Sequence, residues 1–414
     1  MRDLLLPSSP GFWRSPVRGP WFTSVLGVVL LGGITVLFVT GLLSYAAYNP
    51  GLSPVNDKTP DKGLLGFYLF AWPTDPHWLY RLTQGVHVTL GITLIPVLLA
   101  KLWSVVPKLF ALPPARSLAH ALERISLLLL VGGALFEFTT GVLNVQLDYL
   151  FPGSFYPLHF YGAWVFYAAF VTHAVLRVPA ALRNLRHMRE QRRPEEGELV
   201  SPDPAPSTVS RRGALGFVGG GSLLLFATTA GQSFDGPLRE TAVLAPHGGP
   251  EPGSGPGGFQ INKTAASRGI STAETSEEAW RLVVEGRGRT VRLRRTDLLR
   301  LPLHSAALPI ACVEGWSTSD QWWRGVRLRD LAALVGYEAD AAPDVLVESL
   351  QRHGAFRRAA LRDNQVRDAR SLLALFVNGE SLTPDHGYPA RVIVPAAPGV
   401  LNTKWVARMT FGDL

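Results

Sequence analysis

The chain has 414 residues, a formal charge of +8 and 47% hydrophobic residues, and its mean hydropathy is slightly positive, which leans toward membrane segments. Its single cysteine, Cys312, excludes an internal disulfide, a Cys-based zinc site and a Cys-ligated iron–sulfur cluster. The positive charge stands mostly beside apolar runs, which suits an anionic membrane surface, and no nucleic-acid partner is expected.

In chain order, residues 1–20 read as a cytoplasmic N-terminus, followed by apolar stretches of bilayer length at 21–45, 79–106, 122–143 and 156–178. Rich in Leu, Val and Gly without strict alternation, these are expected to be helices. Three more spans follow the first, so it is not read as a cleaved signal peptide. Arg2, Arg14 and Arg18 precede the first span, Lys108, Arg116 and Arg124 flank the second turn, and Arg183, Arg186, Arg189, Arg192 and Arg193 follow the fourth. The intervening loops, 49–78 and 144–155, carry only Lys58 and Lys62 as cations. Positive flanks stay inside, so the N-terminus is cytoplasmic.

His87 lies in the second span and His159 and His173 in the fourth. Along a helix, fourteen residues turn through about 1400°, which leaves His159 and His173 within roughly 40° of one face and about 21 Å apart. Counted from the cytoplasmic ends, His87 and His159 reach similar depth, and ionisable side chains inside a bilayer are costly and usually functional. They are candidate axial ligands for one b-type haem, with His87 and His173 as the other pairing. Lys101 stands where a partner for His173 would complete a second site. Region 21–178 thus resembles a four-helix membrane cytochrome b. Glu137 in the third span and Arg81 at the edge of the second leave three roles open: an ion pair, a haem propionate contact, or a proton path to a quinone.

Residues 179–212 read as a cytoplasmic linker, rich in Pro, Glu and Ser from 194 onward. It ends in Ser210-Arg211-Arg212 before the short apolar run 213–230, a fifth span that doubles as a candidate internal twin-arginine export signal. A glycine- and proline-rich linker, 231–258, leads to a region of mixed short strands and helices, 259–414, expected to be α+β and extracytoplasmic.

Within that region, "CVEGWS" around Cys312 and the later block "LFVNGESLTPDHGYPARVIVPAAPGVLNTKWV" resemble the oxidoreductase molybdopterin-binding domain, the sulfite-oxidase fold. The match is nearest to the catalytic subunit of protein-methionine-sulfoxide reductase. The resemblance implies a molybdenum cofactor with Cys312 as the protein thiolate on the metal, a role that suits a soft ligand. It further implies cofactor contacts from His386 and Arg391, from Asn402, Thr403 and Lys404, and from Asn262, Lys263 and Thr264, with Ser349 as a looser match. Glu314, two residues past the thiol, is a candidate to accept hydrogen bonds near the metal or relay protons. Trp316, Trp322 and Trp323 are expected to line a substrate mouth or to pack the core.

The expectation is therefore a multi-domain chain: an all-α membrane bundle of four helices plus a fifth span, then an α+β molybdopterin domain. It predicts a multi-pass membrane enzyme passing electrons between a quinone pool or other membrane redox partner, a b-type haem and an extracytoplasmic molybdenum centre. Small-molecule or protein S- or N-oxides, such as methionine sulfoxide, are the expected substrates. Oxidation of a small sulfur compound, and a haem-free membrane anchor served by a separate electron-transfer partner, stand as alternatives.

Overall fold

A computed structural model describes residues 7–8, 12–56, 70–110, 117–145, 155–186, 204–234, 236–244, 255–261, 263–354 and 356–414. The expected spans all form helices: α1 (Pro20–Ala47), α2 (Leu79–Thr93), α3 (Ile95–Leu109), α4 (Leu118–Asn144), α5 (Tyr156–Arg186) and α6 (Arg211–Ala227). Helix α1 opens on Pro20, whose missing N–H costs nothing in the first turn. The second expected span, by contrast, is a pair, α2 and α3, bent by 41°. Pro96, in the first turn of α3, removes a ladder donor and crowds the carbonyl four residues back.

By length and composition Pro20–Ala47, Arg124–Asn144 and Arg211–Gln232 are apolar enough to cross a membrane, and the bent pair adds a fourth if it counts as one span. Helix α5 is longer than any of these but falls outside that set, because His159, His173 and Arg177 dilute its apolar run. It also continues as helix to Arg186, inside the stretch expected to be linker.

Packing divides the chain into two compact units, one made of Met1–Val39, Thr89–Asn144 and Tyr149–Ala227, the other of Thr40–Val88, Val145–Asp148 and Thr228–Leu414. In the first, Phe22, Leu26, Leu30 and Ile34 repeat every fourth residue of α1 and pack with Leu94, Val97, Leu98, Ala134, Phe166 and Phe170. Phe38 stacks on Tyr167 with ring centres 3.7 Å apart. Lys101 donates to the Thr23 carbonyl at 2.7 Å, so its ammonium is held by a helix backbone.

The second unit contains two sheets. One has the order β2 (Arg289–Leu293), β1 (Leu282–Gly286), β10 (Val406–Phe411), β5 (Val345–Ser349), β6 (Arg358–Leu361), with β1 and β10 parallel and the other pairs antiparallel. The other runs β3 (His304–Leu308), β4 (Gln321–Arg327), β7 (Leu372–Val377), β8 (Glu380–Ser381), with β9 (Arg391–Ile393) also on β7. Two-residue turns at Arg287-Gly288 and Asn378-Gly379 have positive φ at both positions, the hairpin geometry whose twist matches the strands it joins. Short helices α7 (Arg295–Leu299), α8 (Leu328–Leu334) and α9 (Asp363–Arg367) flank the sheets. Leu328, Leu331 and Ala332 of α8 seal a core built on Leu282, Val284, Val345, Val347, Val406 and Met409. The unit is α+β, as expected.

The expected linker 231–258 begins as structure. Ala230–Gln232 is a buried turn, and Ser233 is likewise buried.

Candidate functional site

Cys312 sits on the loop between β3 and β4 and is 4% exposed. Its N–H donates to the Trp316 carbonyl at 2.8 Å and its carbonyl accepts from the Gly315 N–H at 3.1 Å, closing a tight turn. Gly315 has φ 92°, a conformation that favours glycine. Thr318 locks the stem: its hydroxyl accepts from the Ile310 N–H and its own N–H donates to the Ile310 carbonyl, both at 2.9 Å. The Gly399 N–H donates to the Ala311 carbonyl at 2.6 Å. Glu314 is buried and accepts from the Trp316 indole N–H at 3.0 Å. Burial first, and the Glu314 charge second, push the Cys312 thiol well above the ordinary range.

Residues far apart in sequence support this loop. The Gln84 side-chain amide donates to the Val313 carbonyl, and the Ser233 hydroxyl donates to that of Gly315. Ser317 donates from its N–H to the Gln232 carbonyl at 2.7 Å and from its hydroxyl to the Ser233 carbonyl at 3.0 Å. Arg81 holds that same Ser233 carbonyl at 2.8 Å. Gln84 and Ser233 were not singled out in the sequence, where no motif marks them.

A cluster of cations lies near the thiol. Lys263, Arg391 and Lys404 are each destabilised by burial, which draws Arg391 down to about 9 and Lys404 well below its ordinary value. Arg391 and Lys263 lower Lys404 further, while Cys312 and Glu314 work in the opposite direction on Lys263. The Lys404 ammonium donates to the Lys263 and Asp385 carbonyls at 2.6 and 2.7 Å. Arg391 donates one N–H to the His386 carbonyl at 3.3 Å, and its Nε has no partner among the described residues. Asn402 Nδ2, Thr403 Oγ1 and Arg268 Nε are buried and unpartnered in the same sense. Buried cations and donors without acceptors are costly, and an anion rich in acceptor oxygens is what would satisfy them. Arg268 was missed in the sequence, where it lies outside the family blocks.

The remaining expected contacts are more local. His386 is 1% exposed; its Nε2–H donates to the Gly257 carbonyl at 2.8 Å and its ring stacks on Phe259 at 3.9 Å. Burial, then Arg391 and Lys404, draw it down to about 4, so it is neutral near pH 7 and its donor is already engaged. Thr264 is exposed and accepts from the Ser267 N–H at 3.2 Å, a turn role. The Ser349 hydroxyl donates to the Lys404 carbonyl at 2.7 Å, supporting the lysine's backbone. Asn262 lies outside the described residues. Trp316 and Trp323 are core residues, whereas Trp322 is 55% exposed.

Comparison with known proteins agrees with this chemistry. The family described as the oxidoreductase molybdopterin-binding domain matches residues 269–413. These residues are a molybdopterin-binding domain of the sulfite oxidase type. Mouse (Mus musculus) mitochondrial sulfite oxidase is 31% identical over 146 residues, 30% of this chain and 27% of that protein. An uncharacterized oxidoreductase, YuiH, of Bacillus subtilis (strain 168) is 34% identical over 115 residues, 28% of this chain and 56% of its own length. The NAD(P)H nitrate reductase of Hordeum vulgare is 40% identical over 96 residues, 21% of this chain and 10% of that enzyme. The chain thus spans little more than half of one relative and far less of the others. Residues Lys404, Arg391, Asn402 and Thr403 of the molybdopterin-binding domain fit the cofactor's phosphate and pterin by charge and donor count, and Cys312 fits its metal as a lone soft ligand.

Proposed function

We propose that the chain is a membrane-bound oxidoreductase that uses its molybdopterin-binding domain to take an oxygen atom from S- or N-oxides such as methionine sulfoxide, on the extracytoplasmic side. The observation that carries this reading is a buried lone thiol beside buried cations and donors that lack an acceptor. A molybdenum centre supplies two-electron oxygen-atom transfer when bound. Cys312 would hold the metal, Arg391 and Lys404 would neutralise the cofactor phosphate, and Asn402 Nδ2 and Thr403 Oγ1 would donate to its oxygens. The Glu314 carboxylate, fixed by Trp316, would stand ready to exchange the proton that accompanies each oxygen transfer.

The helices supply the second half of the proposal. Three are apolar enough to cross a membrane, which supports a membrane location. We take electrons to come from a quinone pool through a b-type haem with imidazole ligands drawn from His87, His159 and His173. The printed names of the relatives support a second reading, oxidation of a small sulfur compound such as sulfite. In a third, the helices only anchor the domain and a separate partner delivers electrons.

A panel of sulfoxides, N-oxides and sulfite, assayed on the purified chain with artificial electron donors and acceptors, separates the first two readings. Turnover of sulfoxide with a reduced donor supports reduction; turnover of sulfite alone overturns it. About one molybdenum per chain is expected by metal analysis if one cofactor binds through one thiolate. Dithionite-reduced minus oxidised spectra of membranes should carry a b-type band, and a flat spectrum favours the anchor.

A further inference from the structure

The turn that carries Cys312 is held largely from outside the molybdopterin-binding domain. Two of its bonds are local, Cys312 N–H to the Trp316 carbonyl and Gly315 N–H to the Cys312 carbonyl. Its other bonded groups reach residues 81–88 and 232–239, which lie outside 269–413, the stretch that matches the family. The Val313 carbonyl accepts from the Gln84 amide, that of Gly315 from the Ser233 hydroxyl, and that of Ser317 from Arg239 Nη2 at 2.9 Å. The Ser317 N–H and hydroxyl donate to the carbonyls of Gln232 and Ser233. Packing closes the same contact. A Cβ on Gly315 would lie 2.6 Å from Val88 Cβ, and one on Gly85 would lie 2.6 Å from Ser233 Cβ.

The same stretch of chain also reaches the other side of the cysteine. Ala311, its neighbour, accepts from the Gly399 N–H at 2.6 Å and forms an isolated bridge with Pro398. Three residues before Gly399, Ala396 takes φ 54°, a left-handed conformation uncommon for a residue with a Cβ. Its N–H donates to the His77 carbonyl at 3.0 Å, and its carbonyl accepts from the Trp72 indole N–H at 2.7 Å. Trp72 is buried, and its own carbonyl accepts from the Asn364 side chain at 2.9 Å. Arg370 adds an ion pair to Asp75 at 2.7 Å. A strained backbone persists only where its surroundings over-determine it, and both backbone groups of Ala396 are bonded to 72–77. The sequence reads as a loop up to residue 78 and a span from 79, yet 72–88 belongs to the surroundings of the cysteine.

We propose that residues 72–88, together with 232–239, form a two-point clamp that sets the Cys312 sulfur in place, and that Gln84, Ser233 and Trp72 are positioning residues for it. The inference rests on the reading that Cys312 holds the metal, and it extends that site beyond the family domain. Gln84 and Ser233 grip the turn directly. Trp72 acts on it through Ala396 and the Gly399–Ala311 bond. A buried carbonyl left without its donor destabilises the closed turn, so each loss should raise the population of open turns about tenfold.

Cys312 is the only thiol in the chain, so labelling reads this site alone. In the full-length chain prepared without cofactor, maleimide should modify wild-type Cys312 slowly, and Gln84→Met, Ser233→Ala and Trp72→Phe should each speed the reaction about tenfold. Trp280→Phe, which removes a buried indole donor to the Val406 carbonyl elsewhere in the same unit, should leave the rate unchanged. If one variant fails to fold, the other two carry the test. In the loaded chain the three variants should keep their molybdenum and shift its EPR signal, whereas Trp280→Phe should not. Wild-type labelling rates and EPR signals in all three overturn the clamp and leave Cys312 as the metal's ligand. Equal acceleration by Trp280→Phe reduces the effect to general stability and also overturns the clamp. An EPR signal unchanged in Cys312→Ser, with molybdenum in place, overturns the ligand reading instead, and the labelling rates then decide the clamp.

Discussion

The two compact units use apolar residues in opposite ways. In the C-terminal unit the strands bury their side chains almost completely, and Leu282, Val345, Leu373 and Val392 show no exposure. In the helical unit, outside the cluster around Phe22 and Leu26, many apolar side chains face outward: Leu176 is 69% and Phe217 75% exposed. Side chains cover one another in one region and stay largely exposed in the other, a pattern compatible with a membrane location for the helices. The site follows the same division. The molybdopterin-binding domain gathers charge inside a packed core, while the helices hold a few polar groups, His159, Thr140 and Glu137, in an otherwise apolar run.

Changes at the site should have the largest effect. Cys312→Ser should lower turnover by at least about 100-fold and change the molybdenum EPR signal, since removing a soft ligand alters the metal itself; unchanged activity would remove the cysteine from the metal. Next comes the contrast in apolar exposure. Phe217→Asp, in the middle of α6, should cost about 2.5–3.5 kcal/mol of membrane insertion, read by carbonate extraction. Trp322→Asp, exposed on β4, should shift thermal unfolding of the folded domain by no more than about 0.5 kcal/mol. Equal effects would erase the distinction between the two regions.

His386 offers a pH handle on the packed region. Its folded value of about 4 lies below the ordinary 6.5, so the unfolded chain binds the proton more tightly. Its contribution is intact above pH 6.5 and is lost as pH falls toward 4, on the order of 3 kcal/mol in all. Tryptophan-fluorescence denaturation at pH 7 and pH 4.5 should show that loss in the wild type and a flatter dependence in His386→Asn. The smallest effect belongs to the surface: the ion pair of Arg408 with Glu285, 2.8 Å and partly exposed, should contribute no more than about 0.5 kcal/mol in a double-mutant cycle.

Much of this architecture was legible in the chain. Helix positions followed from apolar runs alone, and the thiol, Arg391, Asn402 and Lys404 followed from two separated family blocks. What escaped had no local signature. Pairing of β1 with β10 joins Val283 to Arg408, a register set by long-range packing. Gln84 and Ser233 reach the cysteine loop from segments whose own sequence reads as span and linker. Pro96 was visible, but whether a proline bends or ends a span depends on what its neighbours pack against.

The raised thiol carries one last consequence. Oxidation, alkylation and disulfide exchange all act on the thiolate, and access limits them further. At 4% exposure and with its proton held tightly, Cys312 is chemically quiet in a protein that has no second cysteine to protect it. Disulfide exchange with another chain's thiol is limited on both counts. If Cys312 holds the metal as proposed, the burial that leaves the thiol inert on its own would also keep its sulfur intact for that role.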